Sequence, residues 1–304
     1  MMNRTFRTLI PTLKSTNYLD PCLPKKRAGV KFVTPHFTAN KRIMQDLDTH
    51  SKGLEAARII PLSEGSFTID KTKIFIPFDD ATDDLQKRPI GSLLVEVVPF
   101  CIITEKDIIV IDTGLGFKKD GEQQIHANLK ANGIDPKDVT KVLMSHLHKD
   151  HAGGVSIADI MGNAHLAFPN AVYFVQRREF DFAESTGYPS FITDEFEVFD
   201  RHPNVFWLHD DKGTIDNFIH YEVTGAHSPF HQVFWIESYG KIIFFGGDDA
   251  PQLQQMKSRF VAKYDYNGKK CMELRNLWWE QGTKEGWTFL FYHDIKQPVY
   301  HAGE

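Results

Sequence analysis

Within six consecutive residues, His146-Leu147-His148-Lys149-Asp150-His151, the chain sets three imidazoles and one carboxylate. Each of these groups loses hydration on burial, so a fold that encloses them must give them a shared partner. Imidazole nitrogen and carboxylate oxygen are ligands that suit zinc and its first-row neighbours. The order is His-x-His-x-Asp-His. A helix would present a metal through two histidines at i and i+4. A loop wrapped around a metal centre is therefore expected. A solvated polar loop at a strand end is the plain alternative.

Around this run the chain reads as a layered α/β protein. The folded part is expected to begin near residue 56. Residues 67–77 alternate as a strand pair with a turn at Asp70-Lys71. Residues 92–104 and 107–111 read as two strands joined by Glu105-Lys106. The second contains Ile108-Ile109-Val110-Ile111, a β-branched run that should be buried, and it ends in the turn Asp112-Thr113-Gly114. Residues 121–132 form a helix, closed by Asn132-Gly133. A strand at 141–144 then delivers the histidine run. Further strands are expected at 171–175, 205–208, 218–223, 232–236 and 241–245, with 287–292 as the last. Helices are expected at 177–184 and 268–281. Residues 185–203, rich in aromatics, acids and proline without a clear period, read as an insertion or lid.

Three more stretches close predicted strands. They are Gly225-Ala226-His227-Ser228-Pro229-Phe230-His231, Gly246-Gly247-Asp248-Asp249, and Tyr292-His293-Asp294. A lone histidine at a strand end is ordinarily a surface residue, and His231 is expected to satisfy only the start of its strand. The ordered set is another matter. It resembles the metallo-β-lactamase-fold metallohydrolase superfamily over residues 56–295. His146 to His151 match its HxHxDH motif, and Asp112-Thr113-Gly114 its preceding Asp-x-Gly element. His227 to His231 are similar to its GHTPGH segment, with Ala226 in place of the first glycine. Gly247-Asp248 match the Gly-Asp that supplies a bridging carboxylate, with Asp249 the competing choice. His293 falls where the family has its final ligand.

The resemblance implies a four-layer αββα sandwich with a dinuclear site at the sheet edge. His146, His148 and His227 would hold one ion, Asp150, His151 and His293 the other, and Asp248 would bridge them. Asp112 would orient the ligands from behind. The implied cofactors are two divalent ions, zinc first, with manganese, iron or cobalt sharing the same donors. Two such ions lower the pKa of a shared water toward neutrality and polarise a carbonyl or phosphoryl oxygen. Asp150 would orient the nucleophile or move its proton. A tyrosine among Tyr188, Tyr264 and Tyr266 could donate to the oxyanion. His148 occupies the second position, where redox di-iron relatives carry Glu. The 75 residues between His151 and His227 resemble the lactonase, arylesterase and phosphotriesterase branch.

The net charge of −5 is unevenly spread. Residues 1–43 hold nine Lys/Arg and one acid, Asp20, leaving 26 basic and 39 acidic residues, a net of −13, for 44–304. The leader is expected to be disordered or dispensable, with Met44 a candidate true start, and 44–304 to form one hydrolase domain. The acidic body and the aromatics Phe180, Phe182, Tyr188, Phe191, Phe196 and Phe199 favour a small, mostly neutral ester or lactone. A thioester hydrolase of the hydroxyacylglutathione type is the second reading. It would need a basic patch, supplied by residues 257–259, Lys263 and Lys269-Lys270. A nucleic-acid-binding protein using the basic leader is the third. No apolar run approaches the roughly 18 residues of a membrane span. Three widely spaced cysteines, Cys22, Cys101 and Cys271, make no disulfide framework. A cytoplasmic location follows as the default, with a small-molecule partner and a homodimer among the expected assemblies.

Overall fold

The computed structural model describes residues 56–303. The leader 1–43 and the candidate start at Met44 lie outside them. Two six-stranded sheets dominate. The first runs in the order Arg58–Pro61, Phe100–Ile103, Ile108–Ile111, Lys141–Leu143, Val172–Gln176, Val205–Leu208. Its first three strands pair antiparallel and the others join in parallel. The second sheet runs Lys212–Ile215, Ile219–Val223, Gln232–Ser238, Lys241–Phe245, Thr288–Leu290, Val299–His301.

Period-two alternation places four layers. In the first sheet, Ile102, Ile109 and Ile111 face one core, while Cys101, Ile103, Ile108 and Val110 face another. The first of these cores is shared with Phe234, Ile236 and Phe245 of the second sheet, so the sheets pack face to face. The outer face of the first sheet is covered by Ile125 and Leu129 of helix Gln124–Ala131 and by Phe180 and Ala183 of helix Arg177–Thr186. The outer face of the second packs Val233, Phe244 and Phe289 on Trp278 of helix Gly268–Glu285. The expected αββα arrangement is what the core clusters describe.

Three expectations about elements need correction. Residues 92–104 do not form one strand. Pro99 lacks an amide N–H, and the run divides there. Leu93–Val97 joins Gly65–Ile69 and Ile76–Phe78 in a separate three-stranded sheet, while Phe100–Ile103 enters the first large sheet. The last strand is Val299–His301, beyond the expected 287–292. Residues 185–203 are no loose insertion either. Phe196 and Phe199 are fully buried against Phe180 and Tyr173 in the core under the first sheet.

Candidate metal centre

Strand Lys141–Leu143 ends at the motif, and the motif is half loop, half helix. His146 and His148 lie outside regular structure, whereas Asp150 and His151 lie on the single helical turn Lys149–Ala152. Asp112 fixes both halves from behind. It sits in the left-handed region at φ 53°, just past strand Ile108–Ile111. One carboxylate oxygen accepts from Ser145 N at 2.7 Å, and the other accepts from Ser145 Oγ at 2.6 Å and lies 2.7 Å from His151 Nδ1.

The second sheet supplies the remaining donors. His227 follows strand Ile219–Val223, Asp248 follows Lys241–Phe245, and His293 follows Thr288–Leu290. His146 Nε2 lies 2.9 Å from His148 Nδ1, which lies 3.1 Å from His227 Nε2. The Nε2 of His293 lies 3.4 Å, and that of His151 3.7 Å, from Asp150 Oδ2. Asp248 touches both groups with different atoms. Its Oδ2 is 3.2 Å from His227 Nε2, and its Oδ1 is 3.2 Å from His151 Nε2 and 3.1 Å from His293 Nε2. All seven expected ligands therefore converge.

These residues fit bound ions. Zinc–nitrogen bonds of about 2.0–2.1 Å in a tetrahedron set ligand atoms about 3.3 Å apart, close to the spacings found. His151 Nε2 and Asp248 Oδ1 are buried without a hydrogen-bond partner, which a fully protein-satisfied interior would avoid. The other ring nitrogen of each of four histidines is engaged: His146 Nδ1 with Ser145 Oγ, His151 Nδ1 with Asp112, His227 Nδ1 with Asp265 Oδ1 at 2.9 Å, and His293 Nδ1 with Glu96 O at 2.7 Å. Such backing turns the free nitrogen inward. Burial, then the neighbouring imidazoles, hold His146 and His148 well below the ordinary histidine range, so both are neutral and ligand-ready. Burial also opposes charge on His151 and His293, yet Asp248 and Asp150 carry both upward.

The two carboxylates of the doublet differ in their partners. Asp249 turns away from the cluster, accepting from His227 N at 2.7 Å and from Thr224 Oγ1. His231 does more than open its strand. Its Nε2 accepts from Asp248 N at 3.1 Å, and its Nδ1 lies 3.1 Å from Asp249 Oδ2. Gly247, at φ 50°, lets this ring approach, since a Cβ there would stand 2.6 Å from His231 Nε2. Two side chains have no counterpart in the sequence reading. Asp265 backs His227, and the buried Glu179 accepts from Leu147 N at 3.2 Å and Ser228 Oγ at 3.1 Å, tying two ligand loops together. Glu179 belongs to a helix face shared with Phe180 and Ala183, the one signal that it points inward.

The cluster opens on a cleft of about 450 Å³ lined by His148, Asp150, His227, Asp248 and His293. Its apolar wall is Ile69, Phe75, Leu93 and Val95. The expected aromatic wall does not form, because Phe180, Phe196, Phe199 and Phe191 are core; the Phe191 ring lies 4.8 Å from that of His148, tilted by 45°. All three tyrosines are exposed, and of them Tyr264 lines the cleft. The expected basic patch is dispersed: Lys257 lies over Trp279 and Tyr300, Lys269 pairs with Glu273, and Lys270 Nζ donates to Thr224 O.

Comparison with known proteins agrees with this architecture. The N-acyl homoserine lactonase AttM of Agrobacterium fabrum is 31% identical over 127 residues, 38% of this chain and 43% of that protein. The chain thus spans less than half the length of the AttM relatives it matches. An N-acyl homoserine lactonase of Bacillus cereus is 25% identical over 230 residues, 68% of this chain and 85% of that protein. Among solved structures, that of AidC, a dizinc quorum-quenching lactonase in complex with a product, superposes with a TM-score of 0.61 at 18% identity, covering 81% of this chain and 90% of that one. A model of the Metallo-beta-lactamase superfamily matches residues 94–248, half of the chain. The chain belongs to the metallo-beta-lactamase superfamily.

Proposed function

We propose that the protein is a metal-dependent hydrolase that opens small lactones, with N-acyl homoserine lactones the first class to test. The observation that carries this reading is the seven-donor cluster at the floor of a cleft with an apolar wall. His146, His148 and His227 would hold one divalent ion, Asp150, His151 and His293 a second, and Asp248 both; zinc suits these donors best. Ions bound there would activate a water and polarise the lactone carbonyl.

The chain's own groups do the rest. Ile69, Phe75, Leu93 and Val95 hold the acyl portion and exclude water from it. Asp150 faces the cleft and is placed to accept the proton of the attacking water. Tyr264 stands beside His227, its ring 6.4 Å away, and although part of it is exposed, partial desolvation and then the Asp265 and Asp248 carboxylates push its phenol up. It therefore stays protonated at neutral pH and donates to the oxygen that gains charge. The patch that the thioester reading expected around residues 257–270 is dispersed, as described above.

Metal analysis and a substrate panel test this. Purified protein should carry close to two zinc equivalents and open N-acyl homoserine lactones faster than thioesters. His148→Ala should lower turnover by about 10²–10³-fold, a typical loss for removing electrostatic stabilisation at a reacting centre. Full lactone hydrolysis by His148→Ala, or by chelator-treated protein, would sink the proposal.

A further inference from the structure

The acidic body suggested a neutral substrate, but charge at a cleft is a local matter. Three lysines, Lys71, Lys73 and Lys149, line the same cleft as the metal-ligating cluster. Lys73 and Lys149 are half-buried, and Lys149 Nζ lies 5.8 Å from the centre of the Phe75 ring, over the apolar wall. Some lysines elsewhere are paired with a carboxylate, as Lys130 is with Glu122, Lys141 with Asp107 and Asp216, Lys212 with Glu222 and Lys269 with Glu273. Among the described residues, no carboxylate oxygen lies within the 4.0 Å of an ion pair from Lys71, Lys73 or Lys149.

The acids nearby are committed. Asp70 accepts from Thr72 N at 2.8 Å and from its hydroxyl at 2.5 Å. Asp150 and Asp248 face the histidines. Glu195 is felt by Lys149 but does not line the cleft. The two half-buried lysines also stand on anchored backbone. Lys73 N donates to Asp70 O at 3.0 Å in a turn where Lys73 takes φ 60°, and Lys149 N donates to Ser190 O at 2.9 Å. Asp150 and Glu195 act on Lys149 from a distance, but two ammonium groups partly withdrawn from water without an ion pair carry a desolvation cost that a bound anion would offset.

We propose that the cleft selects substrates whose acyl portion carries an anionic group, a carboxylate in the simplest case, held between Lys73 and Lys149. This rests on the lactone-hydrolase reading of the same site and names its substrate class. The apolar wall takes the acyl chain, the metal cluster takes the lactone carbonyl, and the lysines take the chain's charged end. Lysine acts here as a point charge, so chain length decides fit more than the exact shape of the anion.

The test uses the full chain loaded with zinc and two N-acyl homoserine lactones of equal length, one ending in a methyl group and one in a carboxylate. In parallel, calorimetry compares the corresponding cyclopentyl amides, which cannot be opened. The carboxylate twin should be favoured roughly tenfold in kcat/KM and in affinity, the size expected of one hydrogen bond to a charged group. The preference should shrink with added salt. It should collapse toward unity in Lys73→Met/Lys149→Met, through KM, and persist in Lys73→Arg/Lys149→Arg. Equal treatment of the twins in both assays overturns the anion inference and leaves lactone hydrolysis standing. Preferential binding of the carboxylate amide with neither lactone opened overturns the lactone reading and leaves the anion site.

Discussion

Asp112 joins residues that lie 33 and 39 positions further along the chain, Ser145 and His151. An aspartate tolerates the left-handed backbone it occupies better than most residues, and its two oxygens reach both halves of the motif. Asp112→Asn keeps the shape but places an amide where His151 Nδ1 and Ser145 Oγ need an acceptor. The expected result is metal affinity weaker by about 10–100-fold, read by chelator competition, with little change in the folded structure by circular dichroism. Unaltered affinity would leave Asp112 a turn former. The ligands themselves were legible because six residues hold four of them, and the other three each close a β-rich run. Asp265, Glu179 and the Glu96 carbonyl were not. Asp265 reaches His227 only because its segment crosses the loop, as Tyr266 N donating to His227 O and Asn267 N donating to Ala226 O show. A backbone carbonyl such as Glu96 O has no residue-type signature at all.

Among the elements, the strands that could be read were those with unbroken β-branched or aromatic runs, such as Ile108–Ile111 and Lys241–Phe245. The edge strand Lys212–Ile215, with one apolar residue, carries no such signal, because an edge is specified by its partner's hydrogen bonds. The join between the small sheet and the first large sheet holds an unexpected charge. Glu64 is buried just before strand Gly65–Ile69, and its carboxylate accepts from Leu115 N at 2.6 Å. Burial pushes its pKa up to about 8, against the opposing amides of Leu115 and Phe117. The unfolded chain would release this proton near 4.5. Between those values the folded state binds the extra proton, so stability contributed by this group falls as pH rises, by up to about 1.4 kcal/mol per pH unit. Glu64→Gln removes the titration. Its denaturation midpoint should gain on that of the unsubstituted protein between pH 5 and pH 9; parallel curves would place the proton elsewhere.

For the whole molecule, the cluster of candidate metal donors is shared between halves. The first large sheet presents His146, His148, Asp150 and His151, and the second presents His227, Asp248 and His293. The αββα layering behind this followed from sequence period and family resemblance together, since period alone gives strands and helices without their partners. The leader makes a separate question of the first 43 residues. We expect a chain starting at Met44 to keep its melting temperature, its zinc content and its lactone hydrolysis, measured side by side with the full chain. Loss of any of the three would place part of the machinery before Met44.

The division of the donors between two sheets also sets an order in time. A chain made from its N-terminus presents His146 first and His293 147 residues later. During that interval the early cluster has Asp112 to hold its shape, yet lacks Asp248, whose carboxylate faces both donor groups. Synthesis therefore delivers the seven donors in an order that completes the cluster only once the second sheet has been made.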